Sequence, residues 1–122
     1  METQDQRISE KNSEWRRAVL PEASSIGQVV LNLNEVPIKI VLVVNEASKL
    51  LGTISDGDIR RGLLRGLNLD SPASKIIQYN AFVVPPEMSR EMVQQLMVAN
   101  KIYQIPIVDS QTNLVGLHLW DD

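Results

Sequence analysis

Cysteine is absent from this chain of 122 residues, and histidine occurs once, as His118. The first absence excludes a disulfide framework and any thiolate metal site, and the second excludes a multi-histidine metal centre. Aromatic side chains are scarce, with one Phe, two Tyr and two Trp, too few for an extended base-stacking surface. The net charge of -3 offers no positive excess for a phosphate backbone, so no nucleic-acid partner is expected. Long hydrophobic runs are missing too. The longest apolar stretch, Ile38 to Val44, is broken by Lys39 and is far shorter than the ~20 residues that span a bilayer. No segment has the charged, apolar and small-residue order of a signal peptide, so a cytoplasmic chain without membrane contact is expected.

What is present is a duplication. Lys39 to Asp58 (KIVLVVNEASKLLGTISDGD) and Tyr103 to Asp122 (YQIPIVDSQTNLVGLHLWDD) align without a gap at an offset of 64. Ile38 and Ile102, Val44 and Val108, Leu50 and Leu114, Gly52 and Gly116, and Asp58 and Asp122 are identical pairs, and upstream Ser25 falls on Ser89 and Val29 on Val93. A unit of about 60 residues is too long for a solenoid repeat and barely large enough to fold alone. Two such units are expected to share one core about a pseudo-twofold axis, with clefts where equivalent loops meet. The expected division is a flexible tail over 1–12, one unit over 13–78 and a second over 79–122.

Spacing places the elements. Ser13 to Leu20 is read as a short helix stopped by Pro21. Ile26, Val29, Val30 and Leu33 mark one face of a helix over 25–36. Val41 to Val44 and Leu50 to Ile54 read as a strand pair. Ile59, Leu63 and Leu64 mark a helix over 56–65 closed by Gly66. In the second unit Ala81 to Val84 reads as a strand. Ser89 to Asn100 reads as a helix with Met92, Val93, Leu96 and Met97 inward, and 105–108 and 114–119 as strands. The expected order per unit is strand, helix, strand, strand, helix. The second unit stops before its last helix, so the chain is expected to be an excerpt of a longer protein.

The segment from Gly52 to Arg61 (GTISDGDIRR) carries the chemistry. A strand turns into a helix there, and the exposed N–H groups favour an anion. Ser55 adds a hydroxyl donor, and Asp58 is an acceptor suited to paired ribose hydroxyls. Arg60 and Arg61, one turn on, can neutralise phosphate. This set suits a nucleotide better than a free sugar or a metal. Asp56, Asp58, Asp121 and Asp122 lack the twelve-residue loop and closing Glu of a calcium site, and no metal is expected. Ser55 and Asp58 also fit a capping box, which needs no ligand. In the second unit Asp122 recurs while Leu119 replaces the serine. His118, Trp15 and Trp120 are expected in packing roles, since no Ser or Cys nucleophile stands near the histidine.

These residues resemble the CBS domain, usually present as a tandem pair, the Bateman module. The resemblance rests on Gly-h-h-Ser/Thr-x-x-Asp closing each unit and on the stretch Ala99 to Asp109 (ANKIYQIPIVD), and it extends over 13–122. It implies an α/β (α+β) fold of two strand-helix-strand-strand-helix units about a pseudo-twofold axis. It also implies a non-catalytic regulatory role with no required cofactor and with AMP, ADP or ATP in the inter-unit cleft. The binding positions it implies are Ser55 for phosphate or ribose, Asp58 and Asp122 for ribose, and Ile105 and Pro106 for adenine. Val83 and Val84 would line the same cleft. Leu119 and Leu42, which stand where the family has a hydroxyl and a proline, favour the alternative of a dimerisation scaffold with degenerate, empty sites. Another adenosyl ligand, S-adenosylmethionine, is a further alternative. GTISDGDIRRGLLRG with a GLHLWDD ending also resembles the pair found ahead of bacterial sugar-phosphate nucleotidyltransferase domains. That implies an attached C-terminal catalytic domain, and tandem pairs commonly form homodimers.

Overall fold

The computed structural model describes residues 14–121. The tail expected over 1–12 and the binding position expected at Asp122 lie outside the described residues.

The first unit is a three-stranded sheet of β1 (Val19–Pro21), β2 (Val41–Val44) and β3 (Leu50–Ile54), in the order β1-β2-β3. β1 runs parallel to β2 and β3 antiparallel to it. Helix α1 (Ile26–Glu35) joins β1 to β2, and α2 (Asp56–Leu64) follows β3. The second unit has α3 (Arg90–Asn100) and the antiparallel pair β4 (Gln104–Val108) and β5 (Leu114–Leu119). Each helix starts at the serine that the sequence offers. Ser25, Ser55 and Ser89 each accept a hydrogen bond from the backbone N–H three residues on, satisfying a donor that the first turn would leave open.

Strand alternation sorts the core. Val41, Val43 and Ile54 face the helices and pack with Ile26, Val29 and Ile59. Leu42 and Leu50 face the other way and meet Leu117 of the second unit. Both Leu42 and Leu117 are buried, and each such side chain contributes ~1.5–3 kcal/mol to holding the halves together. In the second unit Val93 and Met97 of α3 pack on Val84 and Ile105.

The duplication survives as geometry. Val41 pairs with Ile54 and Ile105 with His118, Val43 with Gly52 and Ile107 with Gly116, each at the offset of 64 seen in the sequence. Both hairpins carry a register shift at the same place, Val43/Val44 and Ile107/Val108. Both turns hold one residue at positive φ, Ser48 (64°) and Thr112 (69°). The axis itself is visible where Lys49 bridges Asn113, its own equivalent. Around it Leu50 N–H donates to the Thr112 carbonyl (3.0 Å) and Leu114 N–H to the Ser48 carbonyl (3.3 Å). This reciprocal pair is what a pseudo-twofold rotation requires.

Four expectations need correction. The helix expected over 13–20 is a 3-10 turn, Glu14–Ala18, followed by β1. Val19 and Leu20 extend because they pair with Leu42 and Val43, a non-local contact that overrides weak local helix preference. The strand expected over 81–84 shrinks to one parallel bridge, Val84 to Ile107, the equivalent of Leu20 on Val43. Third, Met92 does not face inward; it is 49% exposed, because the N-cap sets the helix phase by Val93 and Met97. Last, α2 ends at Leu64 with Arg65 as its C-cap, one residue before the expected boundary.

Candidate functional site

At the start of α2 the capping box forms in full. Asp58 Oδ2 accepts from the Ser55 backbone N–H (2.9 Å) and from Ser55 Oγ (3.0 Å), while Asp58 N–H points back to Ser55 Oγ (3.4 Å). Oδ1 accepts from Arg61 Nη2 (2.8 Å) and from Gln78 Nε2 (3.1 Å). Asp58 is only 6% exposed. Burial opposes its charge, but the bonds from Ser55, Gln78 and Arg61 outweigh it and hold its pKa below the ordinary carboxylate value. The carboxylate is thus already supplied with donors by its own chain. Gln78 is brought there by the connection between units, which adds to the edge of β3 through Thr53 (Thr53 N–H to Gln78 O, 3.2 Å; Gln78 N–H to Thr53 O, 2.8 Å).

Ser55 and Asp58 face different depressions. A polar one of about 100 Å³ is lined by Asp58, Arg61, Arg65, Lys75 and Gln78. A larger cleft of about 240 Å³ lies between the units. Its walls include Thr53 and Ser55 from β3 and its end, Phe82 from the connection, and Lys101, Tyr103 and Pro106 from the end of α3 and β4. Ser55 and Pro106, named from two halves of the sequence, are brought to one cleft.

The other expected positions divide. Arg61 is committed to Asp58, and Arg60 is exposed on α2. The side chains of Val84 and Ile105 are buried against α3. Val83 is exposed, while Ala81 and Phe82, its neighbours, line the cleft. Sequence reasoning missed Thr53, Phe82, Lys101 and Tyr103. It also missed Arg90, whose guanidinium lies 3.2 Å from His118 Nδ1 and donates to the Leu119 carbonyl (2.5 Å) and the Trp120 carbonyl (3.3 Å). Leu119 cannot cap, and Arg90 holds that chain end instead. Trp15 is buried with Arg16 stacked 4.6 Å from its ring centre. Trp120 meets Tyr103 edge-on at 6.4 Å. Among the described residues no group of three His, Asp or Glu side chains could hold a metal, and no helix is long and apolar enough to cross a membrane.

Two strand-helix-hairpin units related by a pseudo-twofold axis, with a cleft between them, define a tandem two-unit module. The CBS domain family model matches residues 16–65 and 73–117, and the chain belongs to the CBS domain family. Arabinose 5-phosphate isomerase GutQ from Salmonella typhi is 29% identical over 94 residues, covering 77% of this chain and 29% of that protein. The chain spans about three tenths of the length of the curated relatives it matches. Among solved structures, CBS domain protein PAE2072 from Pyrobaculum aerophilum, complexed with AMP, superposes with a TM-score of 0.72 at 22% identity. It covers 83% of this chain and 78% of that one. The cytosolic domain of the Mg2+ channel MgtE, in complex with ATP, gives 0.71 at 22% identity, covering 84% and 42%. These likenesses show the fold.

Proposed function

We propose that this chain is a non-catalytic regulatory module that binds an adenine nucleotide (AMP, ADP or ATP) in the cleft between its two units. The observation that carries the reading is the meeting of Ser55 and Pro106 in that cleft. Relatives of the same fold complexed with AMP and with ATP support it. The Ser55 hydroxyl and the α2 N-terminus receive the phosphate, and backbone groups beside Ile105 and Pro106 meet the base. Asp58, in the neighbouring depression, reaches the ribose only by giving up Gln78, and Arg60 and Arg61, which do not line the cleft, add positive charge behind the phosphate. Asp122 plays the lesser equivalent part. Unit boundaries of 13–78 and 79–122 go with this reading. Binding draws the two units onto one ligand and shifts the population seen by an attached C-terminal catalytic domain. A sugar-phosphate nucleotidyltransferase is that domain's proposed identity. The match to a sugar-phosphate isomerase fits a sugar-phosphate enzyme as the context. The module works in the cytoplasm as a homodimer joined through its exposed apolar helix residues.

A second reading, a dimerisation scaffold with empty sites, is favoured by one observation, the internal saturation of Asp58. A thermal-shift series decides between them. Under the first reading an adenine nucleotide at 100 times its Kd stabilises the chain by about 2.7 kcal/mol. No shift with any adenine nucleotide leaves the scaffold, and a shift with S-adenosylmethionine alone reassigns the ligand.

A further inference from the structure

The two clefts that the pseudo-twofold axis generates are not alike. At the offset of 64 the open cleft's Thr53, Ser55 and Pro106 correspond to Leu117, Leu119 and Leu42. Leu42 and Leu117 are buried together with Trp15, Ala18 and Ile38, and Leu119 packs on that cluster. The twin position is therefore filled by the chain's own apolar side chains. Trp15 supplies much of the filling, and its equivalent on the open side, Tyr79, is exposed.

The open side has the opposite character. Three polar side chains are buried among the described residues, Ser24, Thr53 and Asp58. Ser24 Oγ donates to the Pro21 carbonyl at 2.8 Å, and Asp58 is saturated. Thr53, 9% exposed as a residue, lines the cleft, and its hydroxyl is not among the buried side-chain atoms left without a partner, Asn32 Oδ1 and Arg90 Nε. A hydroxyl on that wall can donate to or accept from a group that enters the cleft. Among the described residues Lys101 is the one cation on the cleft wall. It sits as the C-cap of α3 at φ 55° and ψ 44°, a left-handed position where Gly or Asn is the usual choice. Phe82 and Tyr103 give the same cleft two partly exposed rings. Arg61 and Arg65 line the neighbouring depression, where Asp58 neutralises Arg61.

We propose that each chain binds one nucleoside monophosphate, in the open cleft only. The base lies against Phe82 and Tyr103, the Thr53 hydroxyl bonds the sugar or phosphate, and Lys101 pairs with the single phosphate. The proposal rests on the adenine-nucleotide reading above and adds ligand number, phosphate count and two residues. A second and third phosphate would find no further cation on the cleft wall among the described residues, and about 240 Å³ is below the usual range for ligand pockets.

Titration calorimetry on the full chain with AMP, ATP, adenosine and inorganic phosphate tests it. The expected result is one AMP per chain, with ATP and adenosine each weaker by about tenfold or more, and no measurable inorganic phosphate binding. Lys101→Gln is expected to weaken AMP by about tenfold or more while leaving adenosine unchanged. Thr53→Val, isosteric and checked for an unchanged melting temperature, is expected to weaken AMP, with Thr53→Ser restoring it. Two AMP per chain, ATP binding as tightly as AMP, or an unaffected Lys101→Gln would each overturn the proposal while leaving the regulatory reading intact. Absence of binding by every adenine compound would overturn that reading and the proposal together.

Discussion

Asp58 accepts four hydrogen bonds from Ser55, Arg61 and Gln78, so its charge is tied to folding before any ligand arrives. Its pKa is held below the ordinary value of 3.8. A carboxylate depressed in the folded state contributes stability above that ordinary value and loses it as the pH falls through the folded one. Asp109, whose pKa is lowered by the side chain and backbone of Asn113, acts in the same direction. Acid unfolding below pH ~4 is therefore expected, and Asp58→Asn should make that limb shallower without abolishing it. The same substitution should cost about 1–3 kcal/mol at neutral pH, because Asn keeps one acceptor and turns a donor towards the other partners. Urea unfolding followed against pH checks both. An unchanged acid limb would mean that the bonds around Asp58 do not form in solution.

At the scale of elements, the connection between units is pressed onto β3, and one glycine permits it. A Cβ on Gly52 would stand 2.4 Å from the Gln78 carbonyl oxygen and 2.5 Å from Ile77 Cγ2. The backbone oxygen cannot step aside without breaking the Thr53–Gln78 bridge. Gly52→Ala should then cost about 1–3 kcal/mol and free Gln78 from Asp58. Thermal melts measure the first, and the acid limb of the variant measures the second. A neutral substitution would argue that the connection is not held there. Much of this level was legible in the sequence. Apolar spacing and the three serine caps give α1, α2 and α3 nearly to the residue, and the hairpins follow from their turns. β1 was not, because Val19 and Leu20 become a strand only by pairing with β2. The duplication held the missing signal, since Val19-Leu20-Pro21 falls on Val83-Val84-Pro85. In the site, Ser55 and Pro106 stand out by motif. Thr53, Phe82 and Lys101 could not be read, because only the packing of the two units decides which strand face and which helix end meet the cleft.

For the whole molecule, the duplication creates two pseudo-equivalent faces, and exposed apolar residues lie on the helices of both. Val30 and Leu31 on α1, Leu63 and Leu64 on α2, and Met92 and Val98 on α3 are all exposed. Exposed apolar side chains that gather on one helical face are usually covered by a partner, and a symmetric homodimer is expected. Light scattering at tens of micromolar checks it, with a monomer mass as the contrary result, and Leu64→Glu should lower the dimer fraction without unfolding the chain. The most direct test of a ligand between the units is an amide NMR titration of the full chain with AMP. The account predicts saturable shifts at Thr53 and Ser55 in the first unit together with Phe82, Lys101 and Tyr103 on the other wall. Shifts confined to one unit or to the outer face of α3, or none at saturating AMP, would contradict it.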